Sequence, residues 1–164
     1  MSLKTIALPR YVLEDPAFSS VISDTSAIIS CYAWFDGLPL KLEHLNIEYR
    51  KIPFLRCMFM EEEKSFTYPD EELYGAVRGK TVKAISDADA DEIISFVDNC
   101  IAIGVDRFVV HCSAGVSRSP SIALALHEIY GAKLPKDFYE TGLPKPHIVA
   151  ALKASYGRKH GQIC

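Results

Sequence analysis

One short segment of the chain combines residue types that can do chemistry at their observed spacing. Its sequence is His111-Cys112-Ser113-Ala114-Gly115-Val116-Ser117-Arg118-Ser119-Pro120. Cys112 supplies a nucleophilic sulfur, and Arg118 supplies a planar guanidinium that can hold two oxygens of one phosphate. The residues between them are small or suited to turns, so successive backbone N–H groups can point inward at an anion. The segment therefore predicts a phosphate-binding loop with a cysteine at its base.

The residues around this loop have complementary roles in the same chemistry. A helix that begins near Arg118 adds unpaired N–H groups and the positive end of its dipole. Such surroundings favour a thiolate, so Cys112 can attack at neutral pH without a separate base. Ser119 is placed to donate its hydroxyl to the sulfur when Cys112 becomes the leaving group, and His111 is expected to order the loop through hydrogen bonds. A buried structural cysteine is the alternative interpretation, but it leaves Arg118 unexplained.

The segment resembles the His-Cys-x5-Arg-Ser signature of the cysteine-dependent protein tyrosine phosphatases. Its interior, residues 113–117, is similar to the dual-specificity and bacterial tyrosine phosphatase branch. A weaker resemblance extends over about residues 25 to 155. The resemblance implies a central, mostly parallel sheet flanked by helices and a metal-free, two-step hydrolysis of phosphate monoesters through a phosphocysteine. It also implies phosphotyrosine in proteins as the main substrate, with dual specificity as an option.

Cleavage of the ester also needs a proton for the leaving oxygen, which a carboxyl group on a neighbouring loop usually supplies. In the resembled family this acid is usually an Asp just beyond the strand that precedes the long helix, and no Asp stands there in this chain. Glu61 occupies the position, with Glu62 beside it. Asp87 and Asp70 are weaker alternatives, and Asp87 is also suited to cap a helix. The remaining alternative is an enzyme without a dedicated acid, which would be slow or confined to substrates with good leaving groups.

Alternating strands and helices are predicted to position the loop. Runs rich in apolar residues predict three strands, at 27–34, 54–60 and 107–111. Capping residues and helical spacing predict three helices, from Ser86 to Gly104, from the loop to Gly131 and from Pro146 onward. The alternation is typical of an α/β fold, with one domain over residues 1–164. The irregular segment 64–83 is interpreted either as a lid over the phosphate site or as an ordered insertion.

Composition excludes several other classes of protein. The 164 residues include 18 basic and 21 acidic side chains, a balance of the wrong sign for binding nucleic acid over a broad surface. Five cysteines form no C-x-x-C pair and no Cys/His cluster with zinc spacing, so we expect free thiols, no metal and no cofactor. No apolar run approaches a membrane span, and the first residues lack a secretory signal, which favours a cytoplasmic protein without a membrane partner.

Three functions are compatible with these residues. The first is a phosphatase acting on a phosphorylated protein or a small phosphate monoester. The second is a catalytically weak phosphate-binding module, which the missing Asp favours. The third is a rhodanese-like or arsenate-reducing thiol enzyme, because such proteins can also carry a Cys-x5-Arg loop. Cys31 and Cys57 lie on strands that can flank Cys112, where buried inert thiols are favoured over partners of an oxidised sulfur.

Overall fold

The structure is a computed structural model that describes residues 2–15, 22–33 and 51–161. The strands in these ranges are β1 (Lys4–Pro9), β2 (Ser26–Tyr32), β3 (Phe54–Met58), β4 (Phe66–Thr67), β5 (Thr81–Val82) and β6 (Arg107–Cys112). The α-helices are α1 (Arg10–Glu14), α2 (Asp87–Ala102), α3 (Arg118–Tyr130), α4 (Phe138–Thr141) and α5 (Pro146–His160). A central parallel sheet has the order β1-β6-β2-β3. The predicted α/β fold with a mostly parallel sheet is confirmed.

The two central strands are the apolar runs that the sequence singles out. β2 and β6 are buried along nearly their whole length, as expected for strands covered on both faces. The run predicted at 54–60 forms a strand only as far as Met58. Trp34, the last residue of the run predicted at 27–34, lies outside the described residues.

β1 is a strand that the sequence analysis did not predict. It pairs in parallel with β6 and lies at the edge of the sheet, where only Thr5 of its six residues is fully buried. An edge strand with Lys4 at one end and Pro9 at the other lacks the continuous apolar run that identifies the central strands. The strand predicted at 27–34 is therefore β2, the second strand of the chain.

The three predicted helices are confirmed, with one correction at the start of α2. Ser86, not Asp87, is the N-cap: its side chain accepts from the Asp89 N–H while the Asp89 carboxylate accepts from the Ser86 N–H. This reciprocal pair satisfies two N–H groups that helix geometry leaves without partners. α3 begins at Arg118 and ends before Gly131 in the left-handed conformation, and α5 has Pro146 in its first turn.

Apolar side chains cover both faces of the sheet. The larger cluster packs α2, α3 and α5 on one face, around Phe108, Ile122 and Leu152. A smaller cluster on the other face contains Leu13 of α1 with Ile28 and Val109. No helix in the described ranges is long and apolar enough to cross a membrane.

The segment 64–83 forms an ordered excursion between β3 and α2. β4 and β5 pair antiparallel, and the Tyr68 ring packs between Phe66 and Tyr74. The Lys83 ammonium donates to the Asp89 carboxylate at 2.9 Å, which ties the segment to the start of α2. This geometry favours the interpretation as an ordered insertion.

Candidate active site

The carboxyl ends of three neighbouring strands meet around residues 113–117, which connect β6 to α3. Ligands of open α/β sheets bind at this end of the strands. Cys112, the last residue of β6, is 2% exposed, and its sulfur lies 3.2 Å from the Ser119 hydroxyl oxygen. Ser119 is fully buried in the first turn of α3. The structure thus brings together the sulfur that the sequence predicts as the nucleophile and the hydroxyl that it predicts to act on this sulfur in the second step.

A depression of about 350 Å³ opens above this cysteine. Its lining consists of Met60, Glu61, Cys112, Ser113, Ala114, Val116, Ser117 and Arg118. Five of the six residues 113–118, which the sequence predicts to bind the substrate, are in this set. Gly115 is the exception, and it faces the other side of the loop.

Gly115 packs against the end of β1. Its φ is +73°, and a Cβ atom there would lie 2.5 Å from the Pro9 nitrogen and 2.8 Å from the Leu8 carbonyl carbon. Only glycine fits both the conformation and the space. The N–H of Arg10, the first residue of α1, also donates to the Ser113 carbonyl at 3.2 Å, so the junction of β1 and α1 contacts the loop at two points. No motif in the sequence connects Pro9 to Gly115.

Arg118 ties the loop to the end of β3. Its side chain is 7% exposed, and Nη1 donates to the carbonyl of Phe59 at 3.4 Å. Because Glu61 follows Phe59 by two residues, this contact places the candidate acid on the rim of the depression. A guanidinium held in this way faces the site as a fixed cation.

His111 is buried and holds the peptide of Cys112. Its Nδ1 lies 3.4 Å from the Cys112 carbonyl oxygen, and its Nε2 lies 2.7 Å from the Ser30 hydroxyl of β2. Since a carbonyl can only accept, Nδ1 carries the proton and Ser30 donates to Nε2. Burial lowers the pKa of His111 to about 4, outweighing the hydrogen bond to Cys112. The neutral ring therefore joins the peptide of Cys112 to β2.

The structure places the four candidate acids in different environments. Glu61 lines the depression and accepts a hydrogen bond from the Ser117 hydroxyl. One oxygen of Glu62 is buried without a hydrogen-bond partner among the described residues, and Glu62 does not line the depression. Asp87 lies 3.7 Å from the guanidinium of Arg158.

Asp70 forms an ion pair with Arg78 in the excursion at 3.4 Å. It does not line the depression, and neither does Asp87. Of Glu61, Glu62, Asp70 and Asp87, only Glu61 therefore lines the depression above Cys112.

The cysteines in the described ranges form no disulfide. Cys31 and Cys57 lie side by side on β2 and β3, with their sulfurs 3.6 Å apart. The hydrogen bond between them, together with burial, raises the pKa of Cys31 well above its usual value. This favours the interpretation of Cys31 as an inert thiol. Within the same ranges no three His, Cys, Asp or Glu side chains are grouped as metal ligands.

Comparison with known proteins defines the class of fold. Neither a protein-family model nor a curated protein matches the chain. Among solved structures, the human tyrosine phosphatase-like serine/threonine/tyrosine-interacting protein is similar, with a TM-score of 0.56 and 15% identity over 94% of this chain and 93% of that one. Tk-PTP in its active form gives a TM-score of 0.50 and 16% identity over 94% and 92% of the chains. The chain has a protein tyrosine phosphatase-like fold.

Proposed function

We propose that this chain hydrolyses phosphate monoesters on proteins through a phosphocysteine, with phosphotyrosine as the main substrate. The observation that carries the proposal is the single depression lined by Cys112, Arg118 and Glu61, with Ser119 at 3.2 Å from the sulfur. These groups are a nucleophile, an oxyanion holder, a proton donor and a group to stabilise the leaving sulfur. The protein tyrosine phosphatase-like fold supports the same reaction.

In the first step the Cys112 thiolate attacks phosphorus. The P–S bond forms as the bond from phosphorus to the ester oxygen breaks, and Glu61 gives its proton to the departing oxygen. Arg118 and the loop N–H groups hold the three equatorial oxygens, where charge is spread in the transition state. The products are an alcohol or phenol, a phosphocysteine and an ionised Glu61.

In the second step water attacks the phosphocysteine. Glu61 accepts a proton from the water as its oxygen bonds to phosphorus, and the P–S bond breaks. The electron pair of that bond returns to sulfur, and the Ser119 hydroxyl at 3.2 Å donates to the thiolate that forms. Inorganic phosphate leaves, and both Cys112 and Glu61 return to their starting states.

The charge of the loop favours a substrate with one phosphate. Residues 113–117 contain no Lys or Arg, and His111 is neutral at pH 7, so Arg118 is the only cationic side chain of the segment 111–120. A polyanionic inositol lipid is therefore a poorer fit than a single phosphate. Val116, which is 42% exposed, offers apolar surface to an aromatic ring beside the site.

Replacement of the nucleophile tests the proposal. We expect Cys112→Ser to abolish hydrolysis of p-nitrophenyl phosphate and of a phosphotyrosine peptide while retaining affinity for the peptide. The control is Cys100→Ala, which removes another buried thiol on α2 and is expected to keep full turnover. Substantial hydrolysis by Cys112→Ser would contradict the proposed nucleophile.

A phosphate-binding module is the second candidate function. The structural similarity to a phosphatase-like interacting protein favours it, as does the Glu in place of the expected Asp. Tight binding of a phosphopeptide by the wild-type chain without turnover would support this candidate. Turnover of thiosulfate or arsenate with little phosphatase activity would instead indicate the thiol-enzyme alternative.

A further inference from the structure

A groove runs from the far side of the loop along the edge of the sheet. Its first part, of about 460 Å³, lies between β1, the loop and residues 135–142. Its second part, of about 480 Å³, continues along β1 past Lys4 and Lys133. The two parts share Ile6 and Pro135 as lining residues, and we call them together the β1 groove.

The β1 groove begins at the candidate active site. Ala114 and Val116 line both its first part and the depression above Cys112. A polypeptide that places a phosphorylated side chain over Cys112 therefore has a continuous path along β1. This continuity favours the substrate itself as the occupant.

The edge of β1 offers hydrogen bonds to such a chain. Lys133 pairs with this edge at one end, where its carbonyl accepts from the Thr5 N–H at 3.0 Å and its N–H donates to the Leu3 carbonyl at 2.8 Å. Alternate residues of a strand face the same edge, so Ala7 is the next residue to face outward, and Pro9 after it has no N–H. Among the described residues, Ala7 has no backbone partner on this edge.

Charge along the groove is unevenly distributed. Asp137 lines the first part, close to the loop, whereas Lys4, Arg107 and Lys133 line the second part. Lys4 and Lys133 are exposed, and neither forms an ion pair within the described ranges. The far end of the groove thus complements acidic side chains, and the near end does not.

We propose that the β1 groove binds an extended, acidic segment of the phosphoprotein substrate beside its phosphorylated residue. This inference rests on the proposed function. Strand residues rise about 3.3 Å each, so Lys4 lies about 17 Å from Pro9 at the loop. The acidic residues are accordingly expected about four to six positions from the phosphorylated residue, and main-chain bonds to Ala7 hold the segment between.

Matched phosphopeptides and charge-reversal variants test this inference. The peptides carry phosphotyrosine and three Glu residues about four to six positions away, on the amino side in one peptide and on the carboxyl side in the other; Gln replaces Glu in the controls. Binding is measured by fluorescence polarisation with Cys112→Ser, and kcat/KM is measured with the enzyme that retains Cys112. For one of the two positions, the Glu peptide is expected to have an affinity and a kcat/KM about 5- to 10-fold higher than those of its Gln counterpart at low salt.

The variant Lys4→Glu/Lys133→Glu is expected to remove this preference and to leave kcat/KM for p-nitrophenyl phosphate unchanged. The control Lys153→Glu/Lys159→Glu, on the exposed side of α5, is expected to keep it. Ala7→Pro deletes one edge N–H and is compatible with an edge strand, so it is expected to weaken binding of Glu and Gln peptides alike.

Equal affinity for Glu and Gln peptides on both sides, or a preference that survives in Lys4→Glu/Lys133→Glu, would overturn the inference. So would a wild-type dimer that this variant dissociates in sedimentation experiments, because the groove would then be an interface between copies. Charge-dependent binding without turnover would support the groove and contradict the proposed phosphatase.

Discussion

At the scale of single residues, Glu61 is the proton donor in the proposed reaction. It stands where the resembled family usually has an Asp, and its carboxylate reaches the loop to accept from Ser117. Glu62 is adjacent in sequence but does not line the depression. The contact between Glu61 and Ser117 joins residues 56 positions apart, so the sequence alone could not choose between the two glutamates.

Removal of the carboxylic acid tests this assignment. Glu61→Gln is expected to lower kcat/KM, which reports the first step, by ~10²- to 10⁴-fold for phenyl phosphate, a substrate with a poor leaving group, with a much smaller effect on kcat/KM for p-nitrophenyl phosphate. The reason is that nitrophenolate leaves without a proton. Glu62→Gln is the matched control and is expected to change neither rate. The assignment is wrong if the two variants behave alike, or if Glu61→Gln lowers kcat/KM equally for both substrates.

The hydroxyl of Ser119 gives a second prediction at this scale. Ser119→Ala removes the donor that lies 3.2 Å from the sulfur, so the second step, in which sulfur leaves, is expected to become rate-limiting. Stopped-flow measurement with p-nitrophenyl phosphate should then show a burst of about one nitrophenolate per enzyme followed by slow turnover. Slow turnover without a burst would place the defect in the first step and contradict this role.

At the scale of elements, the loop takes its shape from the strand beside it. The continuous apolar runs of β2 and β6, the cap of α2 and the stop at Gly131 are local signals, and all of them predict their elements from sequence. β1 lacks such a signal because an edge strand is half exposed. Its contact with Gly115 arises only when distant segments pair, which is why this part of the site was missed.

Two glycine substitutions separate conformational strain from this contact. Gly115 and Gly131 have similar φ values of +73° and +69°, but only Gly115 has backbone atoms where a Cβ would lie. Gly131→Ala is expected to lower the free energy of unfolding by about 1 kcal/mol and to keep activity. Gly115→Ala should cost more stability and lose phosphate binding, as measured by urea unfolding and calorimetry with phosphate. Normal phosphate affinity in Gly115→Ala would show that β1 does not shape the loop.

At the scale of the whole molecule, the histidine that precedes Cys112 joins the two central strands of the sheet. His111 of β6 bonds to Ser30 of β2, and both side chains are buried in the fold. The sequence places His111 next to the nucleophile, but only the assembled sheet shows its depressed pKa and its partner. The buried imidazole of His111 therefore belongs both to the centre of the sheet and to the surroundings of the candidate site.

The pH dependence of folding tests that connection. The pKa of His111 falls from 6.5 to about 4 on folding, so between these values the unfolded chain binds more protons than the folded one. This contribution to stability is present above pH 6.5 and is lost as the pH falls toward 4, by roughly 3 kcal/mol in total. Urea unfolding across this range should show a shallower decline for His111→Gln than for the wild type. Parallel curves would contradict the assigned pKa.

Direct trapping of the phosphocysteine is the most immediate test of the proposed reaction. The chain is mixed with p-nitrophenyl phosphate, denatured within milliseconds and mapped by mass spectrometry, with Ser119→Ala used to prolong the intermediate and Cys112→Ser as the blank. We expect one phosphoryl group on Cys112, formed as fast as the burst of nitrophenolate, and none on the blank. Steady hydrolysis with no phosphoryl group on Cys112, or with the group on another residue, would contradict the reaction proposed for this site.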